Sequence, residues 1–138
     1  MNNLQYRTCS PEDIDAVLAF SNTATLGGST NIREAIETFL DHDAELFITV
    51  WDGDALIGTT MGAWDGWRAH FTRLAVNPDY RKRGIARELV SRAEQLLLKR
   101  GAKRVDADIL TESPGAFDFW RAMCFTPNVV LAPYAKNL

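Results

Sequence analysis

Apolar positions along this 138-residue chain repeat with two different periods, and the changes of period divide it into elements. Residues 4–8 alternate and read as a short strand. Ser10 then offers a helix N-cap, Pro11 suits the first helical position, and Asp13 stands where a capping carboxylate belongs. Ile14, Val17, Leu18 and Phe20 carry that helix to the neighbourhood of Ser21. Residues 23–29, with Gly27-Gly28, break the pattern as a loop. Helical spacing resumes over 31–40 through Ile32, Ala35, Ile36 and Phe39.

Two β-rich runs follow, at 45–51 and 55–61, separated by Asp52-Gly53-Asp54, a hairpin signal. The second run ends in a tight turn over 62–68 that carries Trp64 and Trp67. Residues 70–76 predict a third strand in this series, stopped by Asn77-Pro78 because proline cannot continue a central ladder. From Gly84 a long helix runs to Arg100, with Ile85, Leu89, Val90, Ala93, Leu96 and Leu97 on one face, and Gly101 ends it. A strand over 105–110, a helix over 113–123 and a last strand over 126–133 complete the chain. The order β-α-α-β-β-β-α-β-α-β predicts an α/β (α+β) fold, a mixed sheet with helices on both faces. The length fits a single domain, residues 1–138, with one core.

Composition narrows the functional classes. No apolar run approaches the ~20 residues of a membrane span, and the N-terminus lacks the basic start and apolar stretch of a signal peptide. A cytoplasmic protein with no membrane partner is expected. Cys9 and Cys124 belong to no metal-ligand spacing and His42 and His70 are the only histidines, so no metal is expected. The net charge is −3, yet residues 81–104 hold 9 of the 15 basic side chains and only Glu88 and Glu94 among the 18 acidic ones. That segment is suited to an anion. Net acidity and the lack of aromatic residues among those charges argue against a nucleic-acid partner.

The informative stretch runs from Leu74 through Ala75, Val76, Asn77 and Pro78 to Arg81-Lys82-Arg83-Gly84-Ile85-Ala86. A strand enters a basic turn, and a long helix opens at a glycine. Helix starts leave backbone N–H groups without intrahelical partners and carry a partial positive charge. Gly84 and Ala86 remove side-chain bulk, so a diphosphate can lie against those amides, with Arg81, Lys82, Arg83 and Arg87 around it. A helix with basic residues on its solvated side would look the same in the sequence. Neither GxxxxGK[ST] nor GxGxxG is present, which disfavours a nucleotide P-loop and a dinucleotide fold.

Here the chain resembles the GNAT acetyltransferases. Arg81-Lys82-Arg83-Gly84-Ile85-Ala86 matches their R/Q-x-x-G-x-G/A signature, and the Leu-Ala-Val-x-Pro strand end precedes it. The downstream pattern A-x-x-F-Y-x-x-x-G-F is echoed by Ala116, Phe119, Trp120, Cys124 and Phe125. The turn Met61-Gly62-Ala63-Trp64-Asp65-Gly66-Trp67-Arg68 is similar to that of YpeA-like bacterial members. The resemblance implies a mostly antiparallel sheet with a splayed strand pair at the site of acetyl-CoA. It assigns the pantetheine arm to the backbone of Leu74, Ala75 and Val76, and the pyrophosphate to residues 81–86. Ser113 stands where many members place a cofactor-contacting asparagine.

The implied reaction is direct attack of a primary amine on the acyl thioester. It needs a neutral amine, a polarised carbonyl and a thiolate able to leave. The family's tyrosine acid is Trp120 here, whose indole N–H only donates; Tyr134 is a candidate replacement. The strand glutamate of several members is also missing, which leaves Asp65 as candidate base or amine anchor, ahead of Glu112 and His70. Asp65-Gly66 is equally a common turn pair. Trp64, Trp67 and Arg68 flank that carboxylate, and the two rings would cradle a cationic amine or a protein N-terminus or lysine. The alternative is an acyl-CoA sensor that kept the cofactor site and lost the chemistry. Apolar residues near the C-terminus would suit a homodimer.

Overall fold

A computed structural model describes residues 3–23, 32–109 and 115–138. These group into two compact units, Met1–Asp108 and Ile109–Leu138, each taken by itself.

The first unit is built on one five-stranded sheet in the order β1-β2-β3-β4-β5. β1 (Leu4–Thr8), β2 (Phe47–Asp52), β3 (Ala55–Trp64) and β4 (Ala69–Val76) pair antiparallel with their neighbours, and β5 (Val105–Ala107) runs parallel to β4. α1 (Ile14–Thr23) and α2 (Arg33–Asp43) join β1 to β2, and α3 (Ile85–Arg100) joins β4 to β5. A mixed α/β sheet, as the period changes predict, is what forms.

The alternation of side chains along β2 and β3 divides the core between the two faces. Phe47 and Met61 are register partners, and their face packs with Ile14, Val17 and Ile36 of the first two helices; Phe39 meets Phe47 edge-on at 6.1 Å. Val50 and Gly58 point the other way, where α3 buries Ile85, Leu89, Val90, Ala93 and Leu97. A fully buried side chain of this size contributes roughly 1.5–3 kcal/mol. A Cβ on Gly58 would come within 2.8 Å of Val50 Cγ1 and 3.2 Å of the Ala75 carbonyl, with Leu89 Cδ1 at 3.4 Å. The absence of a side chain there therefore lets α3 lie against the sheet.

The first helix enters as the sequence predicts, through a 3₁₀ turn at Pro11–Asp13. Ser10 N–H donates to Asp13 Oδ2 at 2.9 Å, and Arg7 clamps the same carboxylate with bonds of 2.6 and 3.1 Å. Burial works to raise the Asp13 pKa, but Arg7 and the Ser10 donors outweigh it and hold the carboxyl below its ordinary value.

Some boundaries differ from those expected. β3 runs on to Trp64, and β5 ends at Ala107 rather than at 110. In the second unit α4 spans Ala116–Ala122, with Trp120 edge-on to Phe119 at 5.2 Å and to Phe125 at 4.8 Å. The strand expected over 126–133 does not form. Pro127 and Pro133 remove two backbone donors, and Val129, Val130 and Leu131 are exposed, so neither ladder nor core rewards extension. Among the described residues, no helix is long and apolar enough to cross a membrane.

Candidate functional site

The site grows from β4. Its register with β5 covers three pairs only: Ala69 with Val105, His70 with Asp106, Phe71 with Ala107. Beyond Phe71, β4 continues to Val76 with no strand on that side among the described residues. On the other side, Asn77 N–H donates to the Ile57 carbonyl at 2.7 Å, and Ala75 is the partner of Thr59. Strand groups alternate in direction, so the N–H and C=O of Leu74 and Val76 point away from β3, toward the open edge. These are the backbone groups that an extended ligand would pair with.

A bulge shapes this edge. The β3–β4 register shifts between Thr59 and Met61, and Arg73 takes a left-handed conformation, φ 57°. Thr59 Oγ1 donates to the Arg73 carbonyl at 2.8 Å, and the Arg73 guanidinium donates to Ser21 on α1. Burial pushes the Arg73 pKa below its usual value.

At the far end of β4 the chain makes a second 3₁₀ turn, Pro78–Tyr80. Asn77 caps it by accepting from Asp79 N–H at 2.9 Å. Arg81, Lys82, Arg83 and Gly84 are exposed. Lys82 (φ 62°) and Gly84 (φ 79°) are left-handed. Gly84 is the N-cap of α3 with no side-chain cap, and the first helical bond runs from Glu88 N–H to its carbonyl at 3.0 Å. The amides of Ile85, Ala86 and Arg87 therefore have no intrahelical acceptor. A Cβ on Gly84 would meet nothing within 4 Å, so the glycine is required by its backbone conformation, and the space beside it is open.

The structure thus brings the open edge at Leu74 and Val76, the uncapped amides and the basic turn into one continuous run. The residues fit a thioester carrying a pantetheine arm and a diphosphate. Sequence reasoning missed how the turn is held. The Tyr80 hydroxyl donates to Asp52 Oδ2 at 2.5 Å, which raises the phenol's pKa. The Arg83 guanidinium lies 5.1 Å from the Tyr80 ring centre and donates to the Asp79 carbonyl at 3.3 Å. No spacing rule links the Asp52 hairpin to Tyr80.

Asp65 lies at the opposite end of β4. Its Oδ1 accepts from Trp67 N–H at 2.7 Å and Arg68 N–H at 2.6 Å, and its own N–H donates to the Arg68 carbonyl at 3.2 Å. The amides of Arg68 and then Trp67 lower its pKa. Such a carboxylate is a durable anion and a reluctant proton acceptor. Trp64 is half-buried, Trp67 is 85% exposed, and Arg68 and His70 are exposed. Tyr134 is on no strand and is 96% exposed, because the strand meant to carry it is absent. Ser113 and Glu112 lie outside the described residues. Cys124 takes the left-handed conformation, φ 70°, at the place where the family motif has glycine. No cluster of three metal-binding side chains occurs among the described residues.

The chain is similar to known proteins in sequence and in fold. The sequence profile of the acetyltransferase (GNAT) family matches residues 16–125. An acetyltransferase of Yersinia pestis (strain Pestoides F) is 42% identical over 104 residues, which is 75% of this chain and 74% of that one. One from Pectobacterium atrosepticum is 35% identical over 103 residues, 74% and 73% of the two chains. The PaiA N-acetyltransferase of Thermoplasma acidophilum, solved with coenzyme A, superposes with a TM-score of 0.74 at 18% identity over 88% of each chain. The chain belongs to the acetyltransferase (GNAT) family and is an acetyl-CoA-dependent N-acetyltransferase.

Proposed function

We propose that this enzyme acetylates a primary amine, carried by a small cationic molecule or by a protein N-terminus or lysine, through direct attack on the thioester. The observation that carries the reading is the open edge of β4 running into uncapped amides at Gly84. The backbone of Leu74 and Val76 holds the pantetheine arm, and the amides of Ile85, Ala86 and Arg87, with the exposed Arg81 and Lys82, hold the diphosphate.

The chemistry asks little more of side chains. A strand amide at the splay stabilises the developing charge on the carbonyl oxygen. A thiol with a reference pKa of ~8.5 leaves as thiolate without an acid, so neither Trp120 nor the exposed Tyr134 is required. The acceptor must first lose a proton, which passes to water, since an alkyl ammonium with pKa ~10.4 is almost wholly charged at neutral pH.

Asp65 acts as an anchor for the acceptor's cationic group, with Trp67 as the aromatic wall and Trp64 and Arg68 bounding the approach. Two features support this role over that of base. Its lowered pKa keeps it anionic, and it precedes Phe71, where β4 and β5 part, by six residues of chain. At ~3.3 Å per strand residue, the two strand steps from Ala69 to Phe71 alone set the turn about 7 Å back from the splay. A cytoplasmic site of action and a homodimer seated on the exposed Val129, Val130 and Leu131 belong to the same proposal.

Calorimetry with CoA and acetyl-CoA, followed by thiol release across a panel of amines, tests this reading. Heat with both ligands, and turnover that favours acceptors bearing a second positive charge, is expected. Binding with no turnover on any amine would overturn it.

A further inference from the structure

We infer that Asp52, acting through the Tyr80 hydroxyl, is a positioning residue that sets the seat of the phosphate-binding turn; this rests on the acetyl-CoA reading above. Asp52 closes β2, where it is paired with Leu4 on one side and Ala55 on the other, so its carboxylate is anchored in the sheet. Tyr80 is the residue immediately before Arg81, and its hydroxyl meets that carboxylate at 2.5 Å. The same ring carries the Arg83 guanidinium at 5.1 Å, and Arg83 also holds the Asp79 carbonyl at 3.3 Å. A continuous chain of contacts therefore runs from the sheet to the residue preceding Gly84.

Two facts give that chain a purpose. Lys82 sits in a left-handed conformation that side-chain-bearing residues adopt only where their surroundings hold them there. An aspartate tied to an anion-binding turn also opposes the anion's charge, a cost that is offset if it fixes the direction of the turn's amides. Arg83, exposed like Arg81 and Lys82, differs from them in its engagement on the tyrosine ring, through which it braces the turn.

The test compares two thioesters in the intact protein, using an amine that the panel shows to be acetylated. Acetyl-CoA uses the turn; S-acetylpantetheine lacks the diphosphate and does not. Tyr80→Phe keeps the ring under Arg83 and removes only the hydroxyl. It is expected to raise KM for acetyl-CoA about five- to tenfold with kcat nearly unchanged, while KM for S-acetylpantetheine stays at the wild-type value. Asp52→Asn, which retains an acceptor oxygen, is expected to recover most of the wild-type KM, and Asp52→Ala to match Tyr80→Phe. Equal losses on both thioesters would mean a merely structural contact and overturn the inference, as would no change on either. Wild-type protein that gives no heat with CoA would bring down the acetyl-CoA reading itself. Wild-type binding with an unaltered Tyr80→Phe would bring down only the positioning role.

Discussion

Two charged, glycine-bearing turns stand at opposite ends of β4, and they treat their backbone polar groups in opposite ways. At 65–68 the turn is closed on itself: one aspartate oxygen accepts from the two amides that follow, and its main-chain N–H finds the Arg68 carbonyl. At 81–87 the turn is open: Gly84 offers no side-chain cap, and the first helical amides face outward beside exposed cations. A self-satisfied turn needs no ligand. The open one leaves donors that water or an anion must fill. The contrast separates the proposed phosphate site from the proposed acceptor anchor more sharply than residue type does, since both turns combine glycine with charge.

The most damaging way to break this contrast is Gly84→Val. A β-branched residue is strained at φ 79°, so the turn must rearrange and its amides lose their common direction. Steady-state kinetics are expected to show kcat/KM for acetyl-CoA falling on the order of 10²-fold.

Asp65→Asn is a smaller perturbation at the closed turn. The amide oxygen still accepts backbone bonds, but the anion is gone. KM for a cationic acceptor is expected to rise roughly tenfold, with CoA affinity unchanged by calorimetry. The pH dependence carries a definite sign. The folded pKa of Asp65 lies below its unfolded value, so its contribution to the turn is present above the ordinary carboxylate range and is lost as pH falls through the lowered folded pKa. Calorimetric affinity for a quaternary-ammonium acceptor analogue, whose charge does not titrate, should therefore hold steady down through the ordinary carboxylate range at matched ionic strength. A loss of affinity already near neutral pH would contradict the anchor role.

The mildest change is Arg81→Ala or Lys82→Ala. Each removes one exposed charge from the open turn, where water and salt screen it. About a threefold weakening of CoA binding is expected at low salt, shrinking as salt is raised. A loss as large as that of Gly84→Val would shift the main burden of binding from backbone to side chains.

How much of this was legible beforehand differs by region. The run from Leu74 to Ala86 could be read as a strand entering a basic turn and a helix that opens at glycine because each signal is local: β-rich alternation, proline as a stop, glycine at the cap. The hairpin at Asp52-Gly53-Asp54 was legible for the same reason. The strand expected over 126–133 was misjudged, since Pro127 and Pro133 offer no ladder donors and Val129, Val130 and Leu131 stay exposed. Tyr134 lost its expected place along with it. Cys124 shows a subtler limit: only the backbone reveals that a cysteine holds the left-handed angle of a motif glycine.

By itself, the order of residues determined the elements from the first strand through the last helix, the mixed sheet, the family and the basic glycine turn, because periodicity, turn chemistry and helix capping act over a few neighbouring positions. Only the tertiary structure decided that β5 leaves β4 after three pairs and that Tyr80 reaches back to Asp52. Those outcomes depend on register and on contacts between residues far apart in the chain, where many pairings satisfy the same local pattern and packing selects one.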